Sequence, residues 1–469
     1  MPIESQASVP AAVSPATPPV MVIGAGLAGA MIAIVLARHG YRVQLCDRQP
    51  DMRSENIPAG RSINMALAAR GIRTLEFAGV MDQVLPLLIP MAGRLLHAVD
   101  GTLTFVPYGQ RKHEVIYSVS RPGLNKVLLD AAEAAGVQLR FRQSALGADF
   151  QRRCVNMRDE TTGRSYELPL DHVIAADGAG SALRRALVAE TGAHCSEDLL
   201  DHGYKELTIP ADANGKHRIR ENALHIWPRG GFMLIALPNT DGSFTATLFL
   251  ANQGPESFAT LRDRASVETF FANYFPDAAA LMPDLSTEFL ENPIGIMGTI
   301  RCERWSFGDQ LLLMGDAAHA ITPFHGQGMN CIFEDCRELD KLLRQQPDWR
   351  AAWSCFEQRR RPNTNAIADM AIENYLEMRD TVRDPKFQLQ KALSLELERR
   401  FPRRFVPRYS MVMFHDEIPY TVAYQRGRIQ SEILAELTRD AVSLDQVDYQ
   451  AATRLIEARL SPVPAPVPV

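Results

Sequence analysis

Three short groups of residues in this chain have the types and spacing to hold a dinucleotide. Gly24-Ala25-Gly26-Leu27-Ala28-Gly29 is a GxGxxG that follows a short apolar strand, Pro19 to Ile23, and opens a helix from Leu27 to His39. In that setting Gly24 permits a tight turn, Gly26 lets the backbone approach a pyrophosphate, and Gly29 lets the helix pack closely on the strand. The first amides of the helix and its partial positive charge favour an anion. Asp47 ends a second strand, Arg42 to Cys46, at about the spacing at which an acid reaches a ribose hydroxyl. Asp177-Gly178, in ADGAGSALR with Ser181 and Arg184 downstream, and Gly315-Asp316, in LLLMGDAAHAITPFHGQGMN, each follow a buried strand. Each places an acid where a ribose or ribityl hydroxyl could be held. Singly, a GxGxxG can be a plain glycine-rich turn, and Asp-Gly is an ordinary turn pair. Together, in this order, they point to a dinucleotide.

The elements that must position these groups are legible in outline. The chain has 469 residues, enough for two or three lobes, and its 46% hydrophobic and 22% charged content is that of a globular protein. A net charge of -5 gives no reason to expect nucleic acid or an anionic membrane as partner. Seven scattered cysteines without a CxxC pair suggest neither a disulfide framework nor a zinc site, and a reducing, cytoplasmic setting fits them. No Lys or Arg precedes Arg38, so the charged region of a secretory signal is missing. Val20 to Ala37 is uncharged and long enough to imitate a membrane span, but its glycines divide it into strand, turn and helix.

Residues 1–18, rich in Pro, Ala, Ser and Thr, read as a disordered leader, and residues 456–469 as a Pro-rich tail. Residues 60–90 look helical, as does Asn125 to Ala135. YKELTI, LHIWP, FMLIALP and SFTATLFL alternate apolar with polar and carry β-branched and aromatic residues, which predicts an antiparallel sheet. From Trp349 onward the pattern is mostly helical. The fold class expected is α/β: a Rossmann-like nucleotide lobe (19–200 and 295–345), an inserted antiparallel β-sheet substrate domain (201–294 with parts of 85–120), and a helical C-terminal region (346–455).

Taken together, the three nucleotide motifs resemble the flavoprotein aromatic hydroxylases. The resemblance implies FAD as the bound cofactor and NADPH as a co-substrate that visits without a Rossmann lobe of its own, since no second GxGxxG occurs. It assigns FAD contacts to Gly24, Gly26, Ala28, Gly29, Asp47, Arg48, Ala66, Arg121, Asp177 and Asp316. It also turns the helix that follows Gly326 and Gly328 toward the flavin ring, where its N-terminus would stabilise negative charge. Met329 and Asn330 start that helix and are candidate contacts to the ring.

GRSINMALA (60–68), PYG (107–109), HGYKEL (202–207), ALHIWP (223–228), ALPN (236–239), SFTATLF (243–249), PFHGQGMN (323–330), ENYLEM (373–378) and FVPRYSMVMF (405–414) resemble the kynurenine-hydroxylating branch of that family. The likeness implies that L-kynurenine is hydroxylated with NADPH and O2 through a flavin C4a-hydroperoxide. It gives the substrate carboxylate to Arg94 and Tyr108, which suits a guanidinium fork and a phenol donor. Further polar contacts fall on Asn374 and Tyr409. Leu224, Ile226, Phe249, Pro323, Phe324 and His325 complete an apolar slot, with Met378 one helical turn from Asn374 on the same face. Pro323 and His325 are the candidates nearest the chemistry, and no metal is implied. Animal and fungal members carry a C-terminal apolar anchor that is missing here, which implies a soluble form. Two other readings stay open. One is a hydroxylase of a substituted kynurenine or related ortho-amino aryl acid; the other is a flavin NADPH oxidase or redox carrier that does not hydroxylate.

Overall fold

The structure, a computed structural model, describes residues 19–55, 64–346, 348–377 and 384–463. The expected leader lies outside these residues. Val20–Ile23 is apolar and buried along its whole length because it lies in the middle of a parallel sheet covered on both faces. Val43–Cys46 pairs on one side of it and Val173–Ala175 on the other. Leu311–Leu313 follows Val173–Ala175, again parallel, and Gln138–Arg140 follows Val43–Cys46. Ser306–Phe307 closes the edge as the one antiparallel neighbour in this six-stranded sheet.

That order brings together groups that are almost 300 residues apart in sequence. Gly24, Asp47, Asp177 and Asp316 all lie just beyond the carboxyl ends of four adjacent strands. This edge is where open α/β sheets bind their ligands. The close approach is made by two glycines. Gly24 has φ +102°, and a Cβ there would lie 2.3 Å from the carbonyl oxygen of Ala176. A Cβ on Gly29 would lie 1.8 Å from the carbonyl oxygen of Gly24.

The second sheet has seven strands, in the order Gly295–Cys302, Cys195–Ile209, Phe244–Ala251, Met233–Pro238, Leu224–Pro228, Gly93–His97 and Leu103–Pro107. Neighbours are antiparallel except Leu224–Pro228 against Gly93–His97. Its alternating pattern serves two faces. Leu207, Trp227, Leu234 and Leu248 pack on the helices Arg264–Tyr274 and Leu285–Glu291, whereas Ile226, Met233 and Phe249 point to the opposite side.

Several expectations need correction. Asn64–Leu67 is a strand rather than helix, because it pairs with Ile116–Ser120, which also pairs with Ile89–Met91; helices follow only at Ala69–Phe77 and Met81–Val84. The large sheet reaches beyond 201–294 at both ends, since Cys195–Ile209 is one strand of 15 residues and Gly295–Cys302 is its partner. Helices within 264–291 cover the outer face of that sheet, which would otherwise be exposed. Gln143–Asp149, Cys154–Asp159 and Ser165–Pro169 form a small meander that the pattern did not reveal. The last helix runs from Tyr449 to Arg459, and buried Leu460 and Val463 follow it, so the chain is packed well into the expected tail. Cys195 and Cys302, 107 residues apart, are direct cross-strand partners joined as a disulfide. Their sequence spacing carried no sign of this, because strand register alone sets it. Among the described residues no helix is long and apolar enough to cross a membrane.

The two kinds of motif glycine should respond differently. Gly29→Ala forces a side chain into a carbonyl and should cost more than ~3 kcal/mol, read as a lowered urea midpoint. A Cβ on Gly26 would meet no atom within 4 Å, so Gly26→Ala should stay within about 0.5 kcal/mol of the parent while weakening dinucleotide retention.

Candidate active site

The cradle at the sheet edge is held by its own polar groups. Asp47 accepts from the amides of Ala25 (2.6 Å) and Gln49 (2.7 Å), which fixes the turn against the end of the second strand. Asn125, which sequence reasoning had not singled out, donates to the carbonyl of Ala25 (3.1 Å), while its Oδ1 is buried without a partner. Asp177 accepts from the Ala182 amide (3.0 Å) at the start of the helix Ala182–Thr191. Its other oxygen is buried and unpartnered, and burial pushes the carboxyl pKa up. Arg184 donates to the carbonyls of Ala317 (3.3 Å) and Ala179 (2.5 Å), tying the two acid loops together. Asp316 opens the turn Asp316–His319, half-buried; Ala28 lies buried under Gly315. Arg48 and Arg121 are exposed at the rim. The open space over Gly26 and the orphaned oxygens of Asp177 and Asn125 are what a dinucleotide would fill.

The glycine-rich loop 326–328 leads into the helix Gly328–Gln345. Gly326 has φ +64° and packs on Ala66. Asn330 lies at the start of the helix, but its side chain is spent on the backbone. Its Oδ1 accepts from Ala68 (2.9 Å), and its Nδ2 donates to Ala66 (2.8 Å) and Gly326 (2.9 Å). These bonds bolt the strand at 64–67 to the helix terminus. Met329, buried beside it, and the first-turn amides remain on that side. In the first turns of this helix Cys331 and Asp335 converge with His319 from the turn Asp316–His319, yet Asp335 is already bound by His319 (2.7 Å) and Arg360 (2.5 Å). The cluster is an ion-pair network, and burial pushes the Cys331 thiol well up.

The residues expected to bind substrate converge from three elements. Arg94 lies on Gly93–His97, Tyr108 follows the paired strand Leu103–Pro107, and Tyr409 lies on the helix Arg408–Phe414. The two tyrosine rings stack at 5.5 Å and 12°. The Arg94 guanidinium lies 4.9 Å from the centre of the Tyr409 ring and 5.7 Å from that of Tyr108. On its other side Tyr409 stacks on His325 at 5.5 Å. Arg94 Nε, the Tyr108 hydroxyl and His325 Nδ1 are all buried without a hydrogen-bond partner. Ile226, Phe249 and Phe324 form one apolar cluster with Leu224 against it. Tyr375, missed in the sequence, stacks on Phe324 at 4.1 Å. Asn374 donates to the Phe324 carbonyl (2.6 Å), so it braces the turn Pro323–His325, of which Pro323 is the exposed member. Met378 lies outside the described residues.

The electrostatics gather positive charge and protonated donors at one end of the slot. Burial works against the Arg94 charge, but Tyr409, Tyr108 and Glu377 outweigh it and raise its pKa. Lys391, a second cation near Arg94 that sequence reasoning missed, is lowered to about 8 by burial and by Arg94. Burial raises both phenols, so Tyr108 and Tyr409 stay protonated donors. Burial lowers His325 to about 3, with Arg408 and Arg94 adding to the effect. An unfolded histidine titrates near 6.5, so the unfolded chain takes up this proton first as pH falls. Neutral burial of His325 therefore costs nothing above that pH and destabilises progressively below it. His325→Phe should accordingly lose less unfolding free energy than the parent between pH 6.5 and 4, by up to ~1.4 kcal/mol per pH unit; parallel urea-denaturation profiles would refute the assignment.

Comparison with known proteins agrees with this geometry. A family model described as FAD binding domain matches residues 17–366. The chain is 47% identical over 444 residues to kynurenine 3-monooxygenase of Myxococcus xanthus, covering 94% of this chain and 96% of the relative. Kynurenine 3-monooxygenase of Stenotrophomonas maltophilia is 46% identical over 441 residues, with 94% and 96% covered. The solved tetrameric 2-methyl-3-hydroxypyridine-5-carboxylic acid oxygenase superposes with TM-score 0.64 at 21% identity, covering 79% of this chain and 95% of that one, which shows the shared fold. With an FAD-binding model over most of its length and near-full-length relatives of that name, the chain belongs to the kynurenine 3-monooxygenase family of FAD-dependent monooxygenases.

Proposed function

We propose that the protein hydroxylates L-kynurenine to 3-hydroxy-L-kynurenine with NADPH and O2. The observation that carries this reading is a buried arginine with two protonated phenols at one end of an apolar slot, whose other end meets the loop of a helix N-terminus. Such a site suits an aryl amino acid whose carboxylate and ring must both be fixed. Gly24, Gly26, Asp47, Asp177 and Asp316 would hold FAD, which when bound would supply the redox chemistry with NADPH and O2.

The protein's own share is orientation and exclusion of water. Arg94 takes the carboxylate, and the protonated Tyr108 beside it adds a donor. Leu224, Ile226, Phe249 and Phe324 hold the aryl ring between the large sheet and the Pro323–His325 turn. The ortho amino group already donates electron density to the carbon that is hydroxylated, so no strong base is needed there. That agrees with a His325 kept neutral by burial. A cytoplasmic setting belongs to the same reading: the free thiols of Cys46, Cys154, Cys331 and Cys336 support it, and the Cys195–Cys302 disulfide runs against it.

Purified protein should consume NADPH faster when L-kynurenine is added, and one oxygen atom should appear at the 3-position of the product. Rapid NADPH oxidation without hydroxylated product would move the substrate to a relative of kynurenine. Arg94→Gln should raise the dissociation constant for L-kynurenine by about 10- to 100-fold, the loss of a charge-assisted pair, with a smaller effect on kcat. An unchanged constant would place the carboxylate elsewhere.

A further inference from the structure

Gln327 precedes the helix that begins at Gly328 and is fully buried, but its side chain makes no capping bond to that helix. It turns toward the C-terminal region instead. Its Oε1 accepts from the Tyr420 hydroxyl at 2.8 Å, and its Nε2 lies 3.0 Å from the sulfur of Met413. Met413 is on the helix that carries Tyr409, and Tyr420 opens the next helix, Tyr420–Leu437. Arg70 completes the joint. Its guanidinium lies 4.1 Å from the centre of the Tyr420 ring and donates to the carbonyls of Asp416 (3.0 Å) and Ile418 (2.5 Å) between those two helices. It also pairs with Glu334 (3.1 Å), one turn beyond Asn330. Gln327, Tyr420 and Arg70 are each 0% exposed, so no bulk water can replace a lost contact.

Hydroxylation needs the aryl carbon and the activated oxygen at one separation. The substrate end is clamped by Tyr409 with Tyr108 and Arg94, and the cofactor end is bounded by loop 326–328. The elements carrying these two ends meet at Tyr420. We propose that Tyr420 is a positioning residue for the reaction: by holding Gln327 and stacking on Arg70, it sets the register between the cofactor loop and the helix that bears Tyr409. This rests on the kynurenine-hydroxylase reading above. The consequence is specific. Without the hydroxyl, substrate still binds, because Arg94 and Tyr108 are untouched, but a growing share of activated oxygen escapes as hydrogen peroxide.

The test uses the FAD-loaded full chain as parent, Tyr420→Phe, Gln327→Leu and the double variant. With saturating L-kynurenine, peroxide formed per NADPH consumed should rise about 3- to 10-fold in Tyr420→Phe, a small displacement being enough to lower productive turnover strongly. The anaerobic dissociation constant for L-kynurenine should stay within about twofold, since the charge-assisted contacts that dominate it are kept. The change in the flavin absorption bands on substrate binding should be smaller, a signature that simple loss of stability would not produce. In the Gln327→Leu background, Tyr420→Phe should add nothing further. Parental coupling in Tyr420→Phe, or a full additional effect in the double variant, would overturn the proposal. If Tyr420→Phe does not accumulate as folded holoenzyme, Gln327→Leu must uncouple by itself while keeping the dissociation constant for L-kynurenine within about twofold; any other pattern overturns it equally. A parent that makes no 3-hydroxykynurenine would instead refute the underlying reading.

Discussion

The constraint on which everything else rests is the contact distance between the first turn of the chain and the third strand of the parallel sheet. Gly24 sits against the backbone of Ala176, and Gly29 against Gly24, at separations no side chain could occupy. Only because these strands close up completely do Asp47, Asp177 and Asp316 arrive at one edge. The loop of the second acid and the loop of the third are then joined by a single buried guanidinium, that of Arg184. The cofactor cradle is therefore a property of sheet closure rather than of any one motif.

The substrate side is built by a different principle. There the sheet offers a broad apolar face, and polar specificity is imported from helices far along the chain. An isolated buried guanidinium would be costly to hold. Arg94 is tolerated because two aromatic rings lie against it and Glu377 lies near, leaving one nitrogen unpartnered. The site is thus polarised, with a charged, donor-rich end and an apolar middle.

How much of this was legible in the sequence follows from what each signal depends on. The strand–turn–helix at 20–38 was readable because its glycines have local steric reasons. The alternating strands from 204 to 250 were readable because one face is buried on helices and the other lines the site. Asn64–Leu67 was misread because strand pairing with a segment some fifty residues away overrode a helical pattern. Arg94, Tyr108 and Tyr409 could be named through resemblance, but their stacking with His325 depends on how the C-terminal helices dock. Gln327, Tyr375 and Lys391 gave no local signal at all. Each is an ordinary residue type whose role comes from a partner 50 or more positions away.

The cross-strand pair Cys195–Cys302 brings the entry and exit of the central segment to a Cα separation of 4.2 Å. The 106 residues between them leave the parallel-sheet lobe and return to it at one point, as a closed ring attached by its clasp. A lobe interrupted in that way keeps its own sheet order whatever the ring contains. That ring is completed from outside itself, because Gly93–His97 and Leu103–Pro107 add the last two strands of its sheet, so a change in the ring that alters Leu224–Pro228 is felt directly by the strand that carries Arg94.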